Sequence, residues 1–262
     1  MTVSDFTKTP SYFNNTETFE KYLGQTSYYL GLQQAVKKIV ALTAPKKVVE
    51  LGSATGATTV MLASEFPKIK FVGCDIREDV THIARDAAKE KALANAEFIA
   101  EDMCRTVEKP IDAELVVLLY SFHHILDPLE KKIKFLTDAY SNMRKNSFLC
   151  IAETFIPECA KDNADSESIL ELWNVRKDEG GASTFWKALR SLDGEGIAHA
   201  RSVAEYCKDN EFFAGELVAD RRDEYLVKRS WLDEKGRAAG FATVLNEPVN
   251  NIGDGVVLFE KC

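Results

Sequence analysis

From residue 46 to about 156, short apolar runs alternate with segments of helical period. The runs KKVVEL, KFVGCDI, AEFIA, AELVVLLY and SFLCIAETFI are nearly continuous in apolar residues. That pattern, without apolar-polar alternation, predicts strands buried on both faces. Between them TTVMLASEF, EDVTHIARDAAKEKAL and PLEKKIKFLTDAYSNM place apolar residues three and four apart, which predicts helices with one buried stripe. Strand and helix in strict alternation predict a doubly wound, parallel α/β sheet. Pro67 and Asn146 mark returns from helix to strand.

After Ile156 the alternation stops, and residues 157–225 read as a polar, mostly helical insertion with Gly180-Gly181 and a DGEG turn at 193–196. LVKRSWLDEKGRAAGF then predicts a helix ending near Gly240, followed by two strands, FATVLNEPV and DGVVLFEKC, joined by NNIG. So short a connection permits an antiparallel hairpin and forbids a parallel crossover, which needs about a dozen residues or more. The expected sheet is therefore seven-stranded, mostly parallel and doubly wound, with a reversed C-terminal strand. From Phe6 to about Thr43 the chain reads as helical, amphipathic in YLGLQQAVKKIVALTA and preceded by the aromatics Tyr12, Phe13, Phe19, Tyr22, Tyr28 and Tyr29. The expected division is a helical cap at 1–45, a core at 46–156, a helical insertion at 157–225 and completion of the core at 226–262.

Composition narrows the classes of function. With 262 residues, 45% hydrophobic and 28% charged, the chain has the makings of a soluble globular protein with a full core. A formal net charge of -8 argues against a surface that tracks nucleic-acid phosphates. MTVSDFTKTP lacks a basic region followed by an apolar run, and no segment approaches the ~20 apolar residues that span a bilayer. Neither nucleic acid nor membrane is expected as a partner, and the cytoplasm is the expected location. The six cysteines are scattered, without a CxxC pair or a histidine at zinc-ligand spacing, so they read as reduced, mostly buried thiols and no metal site is expected. Cys104 and Cys159, each following an expected strand, are the two whose reactivity the sequence leaves open.

The stretch VVELGSATGATTVMLASEFPKIKFVGCDI carries the candidate chemistry. A strand ending in Glu50, then Gly52, Ala54 and Gly56 before a helix, is a nucleotide-type βαβ turn whose small residues let backbone approach a ligand. The dinucleotide pattern G-x-G-x-x-G is not met, because Ala54 and Ala57 occupy its second and third glycine positions. A carboxylate at Glu50 would repel a phosphate and attract an ammonium or sulfonium. An alanine at 54 implies φ below zero there. If Gly56 faces the ligand, Gly56→Val should block binding and spare the fold; if it serves tight packing, folding should suffer instead.

These residues resemble the first motif of the class I S-adenosylmethionine-dependent methyltransferases, an acid followed by glycines at alternate positions, with Ala54 in place of the central glycine. The likeness covers residues 46–156 and returns at 230–262, where DGVVLFEKC corresponds to the reversed seventh strand. It implies S-adenosylmethionine as cofactor and a small-molecule methyl acceptor. By the same resemblance Asp75, followed by Ile76, would accept from the ribose hydroxyls, and Asp102 would receive the adenine amino group with Met103 beside the ring. The segment YSFHHILD, beginning at Tyr120, would line the face of methyl transfer. Structural alternatives exist, Asp75 as a helix cap and Asp102 as a turn residue.

His123 and His124 follow the fourth strand, at the edge where open α/β sheets bind ligands, and are candidates for a base that takes the acceptor's proton. Glu153, near the end of the fifth strand, is a second candidate and His199 a third. Tyr28 and Tyr29, with Trp173, Phe185, Trp186 and Tyr206 of the insertion, are candidates to wall an acceptor pocket, or to pack a small core of their own. Arg176, Lys177, Arg190 and Arg201 offer cations for an acidic substrate or a solvated face. Three other functions are weighed: a non-catalytic ligand-binding protein on the same scaffold; an enzyme that modifies S-adenosylmethionine itself, the element order being similar to carboxy-S-adenosylmethionine synthase; and a nicotinamide-dependent oxidoreductase, disfavoured by the missing glycines and the C-terminal hairpin. Homo-oligomerisation is left open.

Overall fold

Val48 and Val49 point to opposite faces of one strand, as successive residues must, and both are buried. The same holds for Val116 and Val117 on its neighbour. A computed structural model describes residues 27–125, 129–156, 158–159, 226–250 and 253–262. In chain order the elements are α1 (Ser27–Thr43), β1 (Lys47–Leu51), α2 (Ala57–Glu65), β2 (Lys70–Asp75), α3 (Glu78–Glu90), β3 (Ala96–Ala100), α4 (Met103–Val107), β4 (Leu115–Leu119), a helical turn at Phe122–His124, α5 (Leu129–Asn142), β5 (Ser147–Thr154), α6 (Arg229–Ala239), β6 (Ala242–Pro248) and β7 (Asp254–Lys261).

The strands form one seven-stranded sheet in the order β3-β2-β1-β4-β5-β7-β6. Neighbours from β3 through β5 run parallel, and β7 lies antiparallel to both β5 and β6. All seven expected strands are present, and the reversed one is inserted between β5 and β6. Val49, Leu51, Val116, Leu118 and Leu149 face one apolar layer with Phe135 and Leu136 of α5 and Leu232 of α6. Val48, Val117 and Cys150 face the other, with Leu32, Val36 and Val40 of α1 and Leu62 of α2.

This topology determines where a ligand can sit. The chain leaves β1 towards β2 on one side and returns to β4 on the other, so the carboxyl ends of β1 and β4 diverge into a crevice. Two elements there were not expected from the sequence: α4 and the turn Phe122–His124, both too short to display a helical period. Residues 1–26 and 160–225, hence most of the expected cap and insertion, lie outside the described residues. No helix among those described is long and apolar enough to cross a membrane.

Candidate functional site

The loop after β1 turns through positive φ at alternate residues: Gly52 (+77°), Ala54 (+46°) and Gly56 (+80°). The alanine corrects the expectation of negative φ at position 54, at a cost of roughly 1–2 kcal/mol for an L-residue in that region. Hydrogen bonds explain why the conformation persists. The amides of Gly52 and Ser53 donate to the carbonyl of Cys74 at 2.7 and 2.9 Å, and the amide of Ala54 donates to Oδ2 of Asp75 at 2.9 Å. The end of β2 thus dictates the path of the β1 loop.

The glycines do not open ligand space with their missing side chains, which corrects the reading that a larger residue at 56 would intrude on a ligand. A Cβ on Gly56 would lie 2.6 Å from Phe98 Cε1 and 2.8 Å from the Ala84 Cβ, inside the protein. One on Gly52 would lie 2.4 Å from the Cβ of Ser121, just beyond β4. Both glycines let elements pack closely, and the Ser121 hydroxyl ties the two strand ends together by donating to the Leu51 carbonyl at 2.7 Å. Glu50 is buried beneath this loop and accepts from the Thr59 hydroxyl of α2.

Asp75 closes β2 at the crevice, accepting from Ala54 N and, through Oδ1, from Arg77 N at 2.9 Å. Burial raises its proton affinity above the ordinary aspartate value, offset in part by those two amides. A carboxylate has about four acceptor sites, so two amides leave it capacity for hydroxyl donors. Arg77, not Asp75, occupies the N-cap position of α3. Ile76 follows at the mouth, partly buried. Asp102 stands at the corresponding place after β3, where it caps α4 by accepting from Cys104 N at 2.8 Å, and Met103 packs partly against the core. Cys104 is an unreactive thiol, since burial and the Asp102 charge push its pKa up to about 12.

Beyond β4, Tyr120 takes φ +51°, which directs its ring against Tyr29 of α1, centroids 5.8 Å apart and planes 9° from parallel. Its hydroxyl donates to Oδ1 of Asp254 at 2.8 Å, a buried carboxylate that Thr154 also supplies at 2.9 Å. Tyr29 in turn reaches Thr58 at the start of α2. The side chain of Tyr28 lies outside the described residues, as do Trp173, Trp186, His199 and the other candidates between 160 and 225.

The turn that follows brings three of the candidate bases together. Nδ1 of His123 is 3.0 Å from Oε2 of Glu153, and the His123 amide donates to the same oxygen at 3.2 Å. Burial alone would push the Glu153 carboxyl up, but the charge of His123 and the hydrogen bonds from His123 and Thr154 hold it below the ordinary glutamate value. The His124 ring lies 4.0 Å from that of His123, tilted by 51°, and is more exposed. The sequence reading missed Lys132, fully buried on α5, whose Nζ donates to the carbonyl of Phe122 at 2.6 Å. It also missed Asp254 as the anchor of Tyr120. Among the described residues no cluster of His, Cys, Asp and Glu could hold a metal ion.

Residues 48–146 match the family model of a methyltransferase domain. The chain is 29% identical over 125 residues to caffeic acid 3-O-methyltransferase of Capsicum annuum, covering 48% of this chain and 32% of that protein. It is 30% identical over 113 residues to bergaptol O-methyltransferase of Ammi majus, covering 43% and 28%. The match thus spans about a third of the length of these curated relatives. Among solved structures it resembles mitomycin 7-O-methyltransferase MmcR, with TM-score 0.59, 16% identity and coverage of 98% of this chain and 62% of that one. It also resembles PigF with SAH, at 0.52, 13%, 95% and 68%. At these identities the likeness is one of fold.

Proposed function

We propose that this chain, whose core is a class I S-adenosylmethionine-dependent methyltransferase domain, transfers a methyl group to a hydroxyl oxygen of a small phenolic acceptor, with His123 as the base. The observation that carries the reading is the buried contact of His123 with Glu153 at the carboxyl edge of the sheet. The relatives named for caffeic acid and bergaptol, both O-methyltransferases, supply the acceptor class.

The residues at the crevice fit the cofactor. Asp75 retains acceptor capacity for the ribose hydroxyls, and Asp102, with one oxygen on Cys104 N, retains an oxygen for the adenine amino group. Met103 would lie along the base and Ile76 beside the ribose, while the loop from Gly52 to Gly56 presents backbone to the methionine end above buried Glu50. When bound, S-adenosylmethionine supplies an electrophilic methyl carbon on a sulfonium sulfur.

The chain's own groups then have distinct tasks. With Nδ1 facing Glu153, Nε2 of His123 would be the ring atom that takes the proton of the acceptor hydroxyl. Glu153 orients the imidazole and stabilises the imidazolium that forms, the service a buried carboxylate renders a catalytic histidine. The stacked rings of Tyr29 and Tyr120 would offer the sulfonium an aromatic surface, which favours a cation by about 0.5–2 kcal/mol. The side chains of Tyr28, Trp173 and Trp186, expected to wall the acceptor pocket, lie outside the described residues, and His124 packs against the base. The core is assigned to 46–156 and 226–262, and most of the expected cap (1–45) and insertion (157–225) lies outside the described residues.

Titration calorimetry with S-adenosylhomocysteine and NADH, followed by transfer of labelled methyl to caffeic acid and bergaptol, tests the proposal. Binding of S-adenosylhomocysteine with labelled product is the expected result. Binding of NADH alone would overturn it.

A further inference from the structure

Residues 132, 135, 136 and 139 form the buried stripe of α5, a spacing at which each position calls for an apolar side chain. Three are Phe135, Leu136 and Ala139; the fourth is Lys132, with 0% of its surface exposed. Burying an ammonium costs several kcal/mol unless it is paired and bonded. Its bonds are therefore informative. Nζ donates to the Phe122 carbonyl at 2.6 Å and stands 4.6 Å from the centroid of the Phe122 ring. Phe122 is the first residue of the turn that carries His123. Lys132 thus grips the backbone one residue before the imidazole, and its charge interacts with the carboxylate of Glu153.

We propose that Lys132 is a positioning residue for proton transfer at His123: its bond to Phe122 fixes the turn that presents the imidazole, and its positive charge keeps that imidazole unprotonated. The inference rests on the reading of His123 as the base. A carboxylate alone against an imidazole raises its affinity for a proton, and a protonated imidazole cannot accept another. A positive charge acting on the same carboxylate offsets that rise. Among the described residues, Glu153 from β5 and Cys104 from α4 act on the charge of Lys132, and His123 and His124 lie on the turn whose backbone it binds. Cys104 stays neutral, and on α6 Asp233 is paired with Arg237. Within α5, Lys134 pairs with Glu108 and Asp138 on the exposed side. Burial lowers the Lys132 pKa to about 7, against the pull of Glu153 and Cys104, so the lysine carries its charge below that pH.

Lys132→Gln retains a donor without charge, and Lys132→Met removes both. The chain has four histidines, so the ring resonance of His123 is identified by its loss in His123→Gln, and its titration is followed by NMR in the ligand-free protein. In both variants, checked for folding by thermal melting, the His123 midpoint should rise by roughly 0.5–1 pH unit. The acid limb of methyl transfer to caffeic acid should move the same way, and turnover should fall further in Met than in Gln. An unmoved midpoint in a folded variant overturns the proposal. Should neither variant fold, the wild-type titration decides: a second inflection of His123 as Lys132 deprotonates supports the proposal, and a single independent step overturns it. If His123→Gln retains full turnover, the reading of His123 as base falls, and this inference with it. If His123→Gln is inactive while Lys132→Gln leaves the midpoint unmoved, only the role of Lys132 falls.

Discussion

His123 and Glu153, thirty residues apart in the chain, meet with Nδ1 3.0 Å from Oε2. Strand register produces the meeting. Leu119 at the end of β4 lies beside Ala152 of β5, so the turn just past β4 arrives next to the residue after Ala152. Both partners are buried, which strengthens their attraction.

Replacing Glu153 by Gln should therefore act on turnover more than on cofactor affinity. Loss of the oriented, charge-stabilised base should lower the rate by about 10²–10⁴ while S-adenosylhomocysteine binds as before. Initial rates with caffeic acid and parallel calorimetry measure both. Because the folded carboxyl is held below the ordinary value of 4.5, its stabilising contribution is complete above that pH and lost as pH falls through the folded value. Urea unfolding below pH 4.5 should accordingly be less pH-dependent in Glu153→Gln. Equal acid sensitivity in the two proteins would speak against the pairing.

Asp75→Ala should weaken S-adenosylhomocysteine binding by roughly 1.5–3 kcal/mol, the range for hydrogen bonds to a charged group. It should also lower the melting temperature, because the Ala54 amide loses its partner. Asp102→Ala should give a smaller binding loss and a capping loss of about 1 kcal/mol. Calorimetry and melting separate the two effects at each position, and unchanged affinity in folded Asp75→Ala would remove that residue from the site.

The strands were legible because a strand covered on both faces must be apolar at nearly every position, and β1, β4 and β5 are. Reversal of β7 was legible from the length of NNIG. Contacts set by register or direction were not. Nothing local in FHH or AET says that the histidine and the glutamate meet. The loop glycines announce a tight turn but not which way a Cβ would point, and that direction depends on Phe98 of β3 and Ala84 of α3. A tertiary bond from Asp75 supports Ala54 at φ +46°, which propensity at one residue argues against. Lys132 reads as an ordinary helix lysine, since only packing against Phe122 reveals that it is inside.

Gly56→Val should be a folding mutant. Its side chain would have to displace Phe98 and Ala84 while holding φ near +80°, where β-branched residues are strained. Strain and overpacking together suggest a loss of about 2–5 kcal/mol. Chemical denaturation should record that loss, with cofactor affinity near normal in the fraction that remains folded. A stable variant that fails to bind would return Gly56 to the ligand surface.

Lys132 should leave a signature in the alkaline range. Folding lowers its pKa from 10.5 to about 7, so between those values the unfolded chain binds the proton and the folded protein releases it. Stability must then rise with pH across that window, by at most about 1.4 kcal/mol per pH unit for one proton. Below about 7 both states hold the proton, and the cost of burying the charge is felt in full. Lys132→Met has no proton to release, so its stability should be flatter through the window and should exceed wild type most at the acid end if the methionine packs well. Urea unfolding of both proteins at intervals between pH 6 and 9.5 tests this, with the range chosen to span most of the Lys132 transition. Parallel curves would mean that Phe122 and Glu153 keep the ammonium charged at all these pH values. The lysine would then be held as an ion by its bond to the Phe122 carbonyl and by the charge of Glu153.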